Sequence, residues 1–312
     1  MEKIIIVGTG YMAKEYIKSL IHLKKEFIVI GNTLQNCELI KKEFENITVI
    51  PNGLESYFNN NDMIFSHAII ATPIHLLDNH LEIILETGIK YILIEKPGGL
   101  NLDKMKYLSE KFKDRKIFVA YNRRFYPSVI KAKEIINNDG GVLSFTFNIT
   151  ELIHKIDLKK YQLNVLNKWF LCMTTHLIDL SFYLGGNPKE IMCYNTESLN
   201  WHNSAIFTGC GITENNIQFS YHGNWLSAGA WKLEIYTKNH LLIFSPLEEL
   251  KIQKKGDNII NNITFNNNNI KFGILEQVKI FLNDPENENL IEYSQHCQRI
   301  EKLYNIMAGY TM

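Results

Sequence analysis

The chain has no surplus of either charge: 33 lysines and arginines balance 33 aspartates and glutamates across 312 residues. Without a sustained basic stretch it is not built to neutralise nucleic-acid phosphates, and no nucleic-acid partner is expected. Long hydrophobic runs are missing too. No window approaches the roughly 18 apolar residues that span a bilayer, and the early run Ile4–Val7 is too short for a signal-peptide core. Cysteine is sparse and scattered (Cys37, Cys172, Cys193, Cys210, Cys297), odd in number and without a C-x-x-C pair. That pattern argues against a disulfide framework and a zinc knuckle, so no metal is expected and a reducing, cytoplasmic setting fits. Arginine is rare, only Arg115, Arg123, Arg124 and Arg299 beside 29 lysines. What is present is ordinary globular composition, 46% apolar and 21% charged, which excludes wholesale disorder.

At roughly 150 residues per domain the length is a prior for two domains. Over residues 1–121, short apolar runs alternate with helical patterns. Ile4–Val7, Phe27–Ile30, His67–Ala71, Tyr91–Ile94 and Lys116–Ala120 are the predicted strands. Strands separated by helices mean parallel crossovers, hence an open α/β sheet. From residue 122 to 312 the texture changes to α+β. A helix over 127–137 leads through Asp139-Gly140-Gly141 into the strand Val142–Ile149. Strands at 190–195, 204–211, 216–222, 231–237 and 240–244 then follow in succession, which predicts a large, mainly antiparallel sheet. Two helical stretches close the chain, and the Asn-rich segment 258–269 reads as a surface loop or hairpin.

Four segments carry chemistry. Gly8-Thr9-Gly10-Tyr11-Met12-Ala13 follows the first strand and opens the first helix. Gly8 permits the tight turn, Gly10 lets backbone approach a pyrophosphate, and Ala13 lets helix pack on sheet. Tyr11 and Met12 form the helix start, where free N–H groups and the dipole favour an anion. The second strand ends at Gly31-Asn32-Thr33 without the carboxylate that would clasp a ribose diol. A 2′-phosphate meets no repulsion there, so the reading leans to NADP over NAD, although no arginine stands by to hold it. Thr72, Pro73 and His75 follow the His67–Ala71 strand, at the carboxyl edge where ligands bind in such sheets. Glu95-Lys96-Pro97 ends the next strand. A lysine so placed can hydrogen-bond a reacting oxygen and stabilise it as an alkoxide, and the alternative is an ordinary solvated lysine.

The order of these motifs, continued by Tyr121-Asn122-Arg123-Arg124-Phe125, Thr175-His176-Leu177-Ile178-Asp179-Leu180 and Trp231–Tyr236, resembles the glucose–fructose oxidoreductase / inositol dehydrogenase (Gfo/Idh/MocA) family. The resemblance implies an N-terminal Rossmann domain and a C-terminal α/β domain whose open sheet makes a homodimer or homotetramer. It implies hydride transfer between NAD(P) and a sugar, nucleotide-sugar or cyclitol, with Lys96 at the reacting oxygen and His176 as the acid/base. Imidazole suits that exchange because it titrates near neutrality. Thr72, His75 and Glu95 would line the nucleotide site, and Asn122 and Arg123 would lie near substrate with Cys172, Thr175 and Asp179. Paired arginines in a lysine-rich chain fit either a phosphate or carboxylate ligand or a structural ion pair. Cys172 is the departure: many relatives carry aspartate there, one helical turn before the histidine. That departure keeps open a non-catalytic dinucleotide-binding regulator of the same fold, and the resemblance separately allows an NAD-dependent glycosidase, as some relatives are.

Overall fold

The computed structural model describes residues 3–61, 63–266 and 269–310. It divides into two units, Met1–Asn122 with Asn269–Arg299, and Arg123–Asn268 with Ile300–Met312. In the first unit, strands and helices alternate as β1 (Ile4–Val7), α1 (Tyr11–His22), β2 (Phe27–Ile30), α2 (Leu34–Glu43), β3 (Thr48–Ile50), α3 (Gly53–Asn59), β4 (His67–Ile70), α4 (Leu77–Glu86), β5 (Tyr91–Glu95), α5 (Leu102–Lys111) and β6 (Lys116–Ala120). The parallel strands lie in the order β6-β5-β4-β1-β2-β3. Residues Ile4 to Val7 are at most 2% exposed, because β1 is covered on both faces and the β-branched run fills both. The order reverses beside β1, so the carboxyl ends of β1 and β4 flank the switch point where ligands bind in sheets of this kind.

The second unit is built from α6 (Pro127–Asn138), β7 (Val142–Ile149), α7 (Leu163–Leu166), α8 (Thr175–Gly185) and the strands β8 (Pro188–Thr196), β9 (Ile206–Thr213), β10 (Gln218–Asn224), β11 (Trp231–Thr237), β12 (His240–Phe244), β13 (Leu250–Lys254) and β14 (Ile260–Ile263). These make one eight-stranded sheet in the order β14-β13-β12-β11-β7-β10-β9-β8. Only β7 and β10 pair in parallel, so the sheet is mainly antiparallel, as the succession of strands predicts. Helix α8 lies on this sheet through Phe182, whose ring meets Phe145, Phe147 and Phe219 edge-on at 5.0–6.0 Å. Gly185 makes room for that packing, since a Cβ there would stand 2.2 Å from the Phe145 ring. The Asn-rich segment supplies β14 as an edge hairpin with β13, and its residues 267 and 268 lie outside the described residues.

The boundary differs from the expected single cut at 121/122. The chain continues into α9 (Ile274–Asn283), β15 (Ile291–Glu292) and α10 (Tyr293–Arg299), all within the first unit, and α11 (Asn305–Ala308) in the second. The reason is packing. The apolar face of α9 buries Ile274, Val278 and Phe281 and lies on α1, with Phe281 against His67 and Phe118. Strand β15 then extends the first sheet antiparallel to β6.

At the turn from α6 to β7, Asp139 accepts hydrogen bonds from the Thr237 hydroxyl, Asn239 Nδ2 and His240 Nδ1. Burial would raise this carboxyl, but those bonds outweigh it and hold it far below its ordinary 3.8. A depressed carboxylate contributes stability that is complete above 3.8 and lost as pH falls below it. Denaturant melts stepped downward in pH from neutrality should show a smaller acid-induced loss in Asp139→Asn than in the parent. Identical acid profiles would mean the cluster contributes nothing.

Candidate functional site

The first unit gathers its motif residues along the carboxyl edge of β1, β4 and β5. Gly8 N donates to Ile30 O at 2.9 Å, and Gly8 adopts φ 124°, a conformation L side chains rarely take. A Cβ on Gly8 would stand 2.3 Å from Ala71 O, so glycine is obligatory where β1 and β4 exit together. Gly10 then serves as N-cap of α1 without a side-chain acceptor, and the space beside its Cα is open for at least 4 Å. Tyr11 is exposed, Met12 half-buried and Ala13 fully buried against the sheet. An open helix N-terminus fits a dinucleotide pyrophosphate.

Asn32 is exposed beyond β2, and Thr33 caps α2 by accepting from Asn36 N at 3.3 Å. Thr72 shares a 3.0 Å hydrogen bond with His80 Nδ1, so the two histidines of this region divide their work. His80 is held by Thr72, its imidazole lowered chiefly by burial, while His75 stays half-buried in the short 3-10 turn after Pro73.

Glu95 is buried at the end of β5 and accepts from the Tyr16 hydroxyl of α1 at 2.6 Å. Burial raises its pKa, against the opposing pull of Tyr16 and of the Lys96 and Lys271 ammonium groups. Lys96 is half-buried and begins a loop whose backbone is fixed at several points. His296 Nε2 donates to Pro97 O at 2.8 Å and the Tyr293 hydroxyl to Gly98 O at 3.0 Å, both from α10. Asp78 Oδ2 of α4 accepts from Leu100 N at 3.2 Å. Any Cβ on Gly99 would collide with Asp78, at 1.5 Å. The lysine is thus presented by a backbone with little freedom to drift, which is what a group acting on one reacting atom requires. Tyr16, Asp78, Tyr293 and His296 had no local sequence signal.

In the second unit, His176 is half-buried near the start of α8, directly after a π-helical turn over Phe170–Thr174. Single π turns inside α-helices recur at functional positions. The turn changes what surrounds the histidine. Cys172 is 0% exposed, and its thiol, after burial itself, raises the Tyr310 hydroxyl. Thr175 is equally buried and donates to Leu171 O at 2.8 Å. Asp179 is 1% exposed and holds Arg124 through two bonds, Nε to Oδ2 at 2.7 Å and Nη2 to Oδ1 at 2.6 Å. Cys172, Thr175 and Asp179 therefore lie in the interior of this unit, and Arg124 takes the structural ion-pair role.

Arg123 takes a different position. Its guanidinium lies 4.6 Å from the Trp231 ring centroid, and its Nε and Nη1 are buried with no hydrogen-bond partner among the described residues. Burial lowers its pKa, with Tyr126, Glu248 and Glu151 acting the other way. Glu151 accepts from Trp231 Nε1 at 3.1 Å and from Thr174 Oγ1 at 3.5 Å, which brings a carboxylate to the turn before His176. In the first unit Asn122 is buried and donates from Nδ2 to Phe272 O at 2.9 Å. Among the described residues no cluster of histidine, cysteine and carboxylate could hold a metal ion, and no helix is long and apolar enough to cross a membrane.

Residues 2–122 match the model of an oxidoreductase family with an NAD-binding Rossmann fold, GFO_IDH_MocA. No curated protein matches the chain. Among solved structures, the fold is similar to levoglucosan dehydrogenase in complex with NADH and L-sorbose, with TM-score 0.79 and 15% identity over 99% of this chain and 96% of that one. It is also similar to the dehydrogenase MviM from Clostridium difficile, at 0.77 and 18% over 99% of both chains. An oxidoreductase from Agrobacterium radiobacter in complex with NAD+, L-tartaric acid and magnesium follows at 0.76 and 13%, over 99% of this chain and 97% of that one. Residues 2–122 thus match an oxidoreductase family with an NAD-binding Rossmann fold, and the chain as a whole shares the fold of these dehydrogenase structures.

Proposed function

We propose that the protein oxidises or reduces a polyhydroxylated substrate, a sugar, nucleotide sugar or cyclitol. The bound nicotinamide cofactor supplies hydride exchange with the substrate's carbinol or keto carbon. The observation that carries this reading is the fixed loop of Lys96, which ends the strand two places from β1 and its Gly8 turn. The Lys96 ammonium hydrogen-bonds the reacting oxygen and favours its alkoxide form. His176 gives that oxygen a proton in reduction and takes one in oxidation. Gly8, Gly10, Tyr11, Met12, Thr72, Pro73, His75 and Glu95 bound the nucleotide side. Arg123, on Trp231 with two donors unused, favours a substrate that brings a phosphate or carboxylate, and so a nucleotide sugar. The protein works in the cytoplasm as a homodimer or homotetramer through its eight-stranded sheet.

The test is a panel of keto-sugars and nucleotide keto-sugars with NADPH or NADH, and of sugars and cyclitols with NADP or NAD. Stoichiometric change in nicotinamide absorbance with a matching product supports the proposal. Glycoside cleavage with no net change would assign the NAD-dependent glycosidase instead, and no reaction anywhere would favour a regulator.

Asn32 gives a separate prediction. With no carboxylate beyond β2, NADPH should bind at least as well as NADH. Asn32→Asp places a negative charge where a 2′-phosphate would lie, worth about 10-fold or more against NADPH even at high effective dielectric. Parallel titrations should show NADPH weakened and NADH unchanged or tightened. An unaltered ratio would mean that Asn32 does not face the adenosine ribose.

A further inference from the structure

The segment returning from the second unit brings a lysine to the nucleotide motif. Lys271 N donates to Glu15 Oε2 of α1 at 2.6 Å, and Asn122 Nδ2 fixes the next carbonyl, Phe272 O, at 2.9 Å. Both anchors belong to the first unit. With its backbone so held, Lys271 extends along the start of α1. Its Nζ stands 3.5 Å from Met12 Sδ and 5.4 Å from the Tyr11 ring centroid, and its charge lowers the Glu95 carboxyl. Tyr11 and Met12 are the two residues between Gly10 and Ala13, so the ammonium lies against the first turn of the helix.

For the helix alone this is the wrong charge. The N-terminus of α1 carries a partial positive charge of about half a unit, where anions are stabilising and cations are not. The first turn contains no acid, and Gly10 offers no side-chain cap. Among the described residues, the acidic groups by Lys271 include Glu15, which accepts from Lys271 N and from Lys18 Nζ, and Glu95, which accepts from Tyr16. A fixed cation joined to a helix N-terminus concentrates positive potential at one place, and an anion placed there would reverse the cost of both.

We propose that Lys271 is a phosphate ligand of the dinucleotide, its ammonium completing with the N–H groups of α1 the cradle for the pyrophosphate. This rests on the dinucleotide reading of the Gly8–Ala13 turn. It assigns to the nucleotide site a residue that lies 259 positions from Met12 and outside the matched residues 2–122.

The experiment is calorimetric titration of the full-length protein with NADPH, NADH and ADP-ribose, which keeps the pyrophosphate and lacks the nicotinamide. Lys271→Met should weaken all three by about 10- to 100-fold, as expected for a lost hydrogen bond to a charged group. Lys271→Arg should stay within about threefold, and the Met variant should lose part of the wild-type salt dependence. Unchanged affinities in a Lys271→Met protein with wild-type melting would overturn the proposal, as would equal losses in the Arg and Met variants. Should the Met variant not fold, acetylation footprinting of the parent gives the answer. NADPH and ADP-ribose should protect Lys271 from an amine-reactive reagent and adenosine should not, and labelling indifferent to all three refutes the assignment. Failure of the parent to bind any dinucleotide would instead refute the Gly8–Ala13 reading itself.

Discussion

Lys96→Met should reduce turnover by about 10²- to 10³-fold, the usual cost of removing one donor aimed at a developing oxyanion. Dinucleotide affinity should stay within a few-fold. The separation between the two follows from the structure. Methionine keeps most of the lysine's length while removing the charge, and the loop it sits in is held by other residues. Pro97 O, Gly98 O and Leu100 N bond to His296, Tyr293 and Asp78, none of which involves the lysine side chain. The Gly8 turn is likewise backbone, closed by the bond from Gly8 N to Ile30 O. Single-turnover kinetics beside a binding titration measure both quantities. Full activity in the variant would remove Lys96 from the chemistry, and a parallel loss of affinity would make it a cofactor ligand alone.

The second large effect concerns stability. Arg124 and Asp179 are 4% and 1% exposed at the side chain and joined by two charge-assisted hydrogen bonds. Arg124→Ala leaves the Asp179 carboxylate buried without its guanidinium, a loss of about 3–5 kcal/mol. For a domain of this size that corresponds to a fall in Tm on the order of 10 °C. Asp179 lies on α8, the helix that carries His176, so activity should fall with the melting temperature. The pair is not itself a source of net stability in proportion to its strength, because both charges were taken out of water to form it. Arg124→Met combined with Asp179→Leu should therefore recover most of the loss. A single variant that melts within about 2 °C of the parent would contradict this account of the pair.

The parts of the fold legible in the sequence are those where burial writes a local pattern. β1, covered on both faces, reads as the unbroken run Ile4–Val7, and β7, β11 and β12 fall at the predicted residues. β8, β9 and β10 are displaced by up to two residues. β3 escapes notice because it is three residues long with one buried side chain, and β13 is not predicted either, whereas β14 falls in the segment 258–269 read as a loop or hairpin. The return of 269–299 to the first unit is invisible for a different reason, since only the partner surfaces of α1 and β6 define it.

The site divides along the same line. Gly8 announces itself through its motif, because a tight turn constrains the residue types beside it. The clamps on the Lys96 loop join Tyr293 to Gly98 and His296 to Pro97, 195 and 199 positions away, where nothing local marks them. Cys172 shows the limit of helical spacing. An α-turn would set it on the face of His176, whereas the π turn at Phe170–Thr174 accompanies a thiol buried in the interior near Tyr310. Glu151, which accepts from Trp231 and Thr174, brings a carboxylate to the turn before His176.

Every role proposed for these residues depends on a nicotinamide dinucleotide lying across the Gly8–Ala13 turn. The most direct measurement is calorimetric titration of the folded, cofactor-free protein with NADPH and NADH in parallel. Micromolar binding of at least one, with NADPH no weaker than NADH, is the predicted result. A protein verified as folded and free of carried-over nucleotide that binds neither would contradict the account.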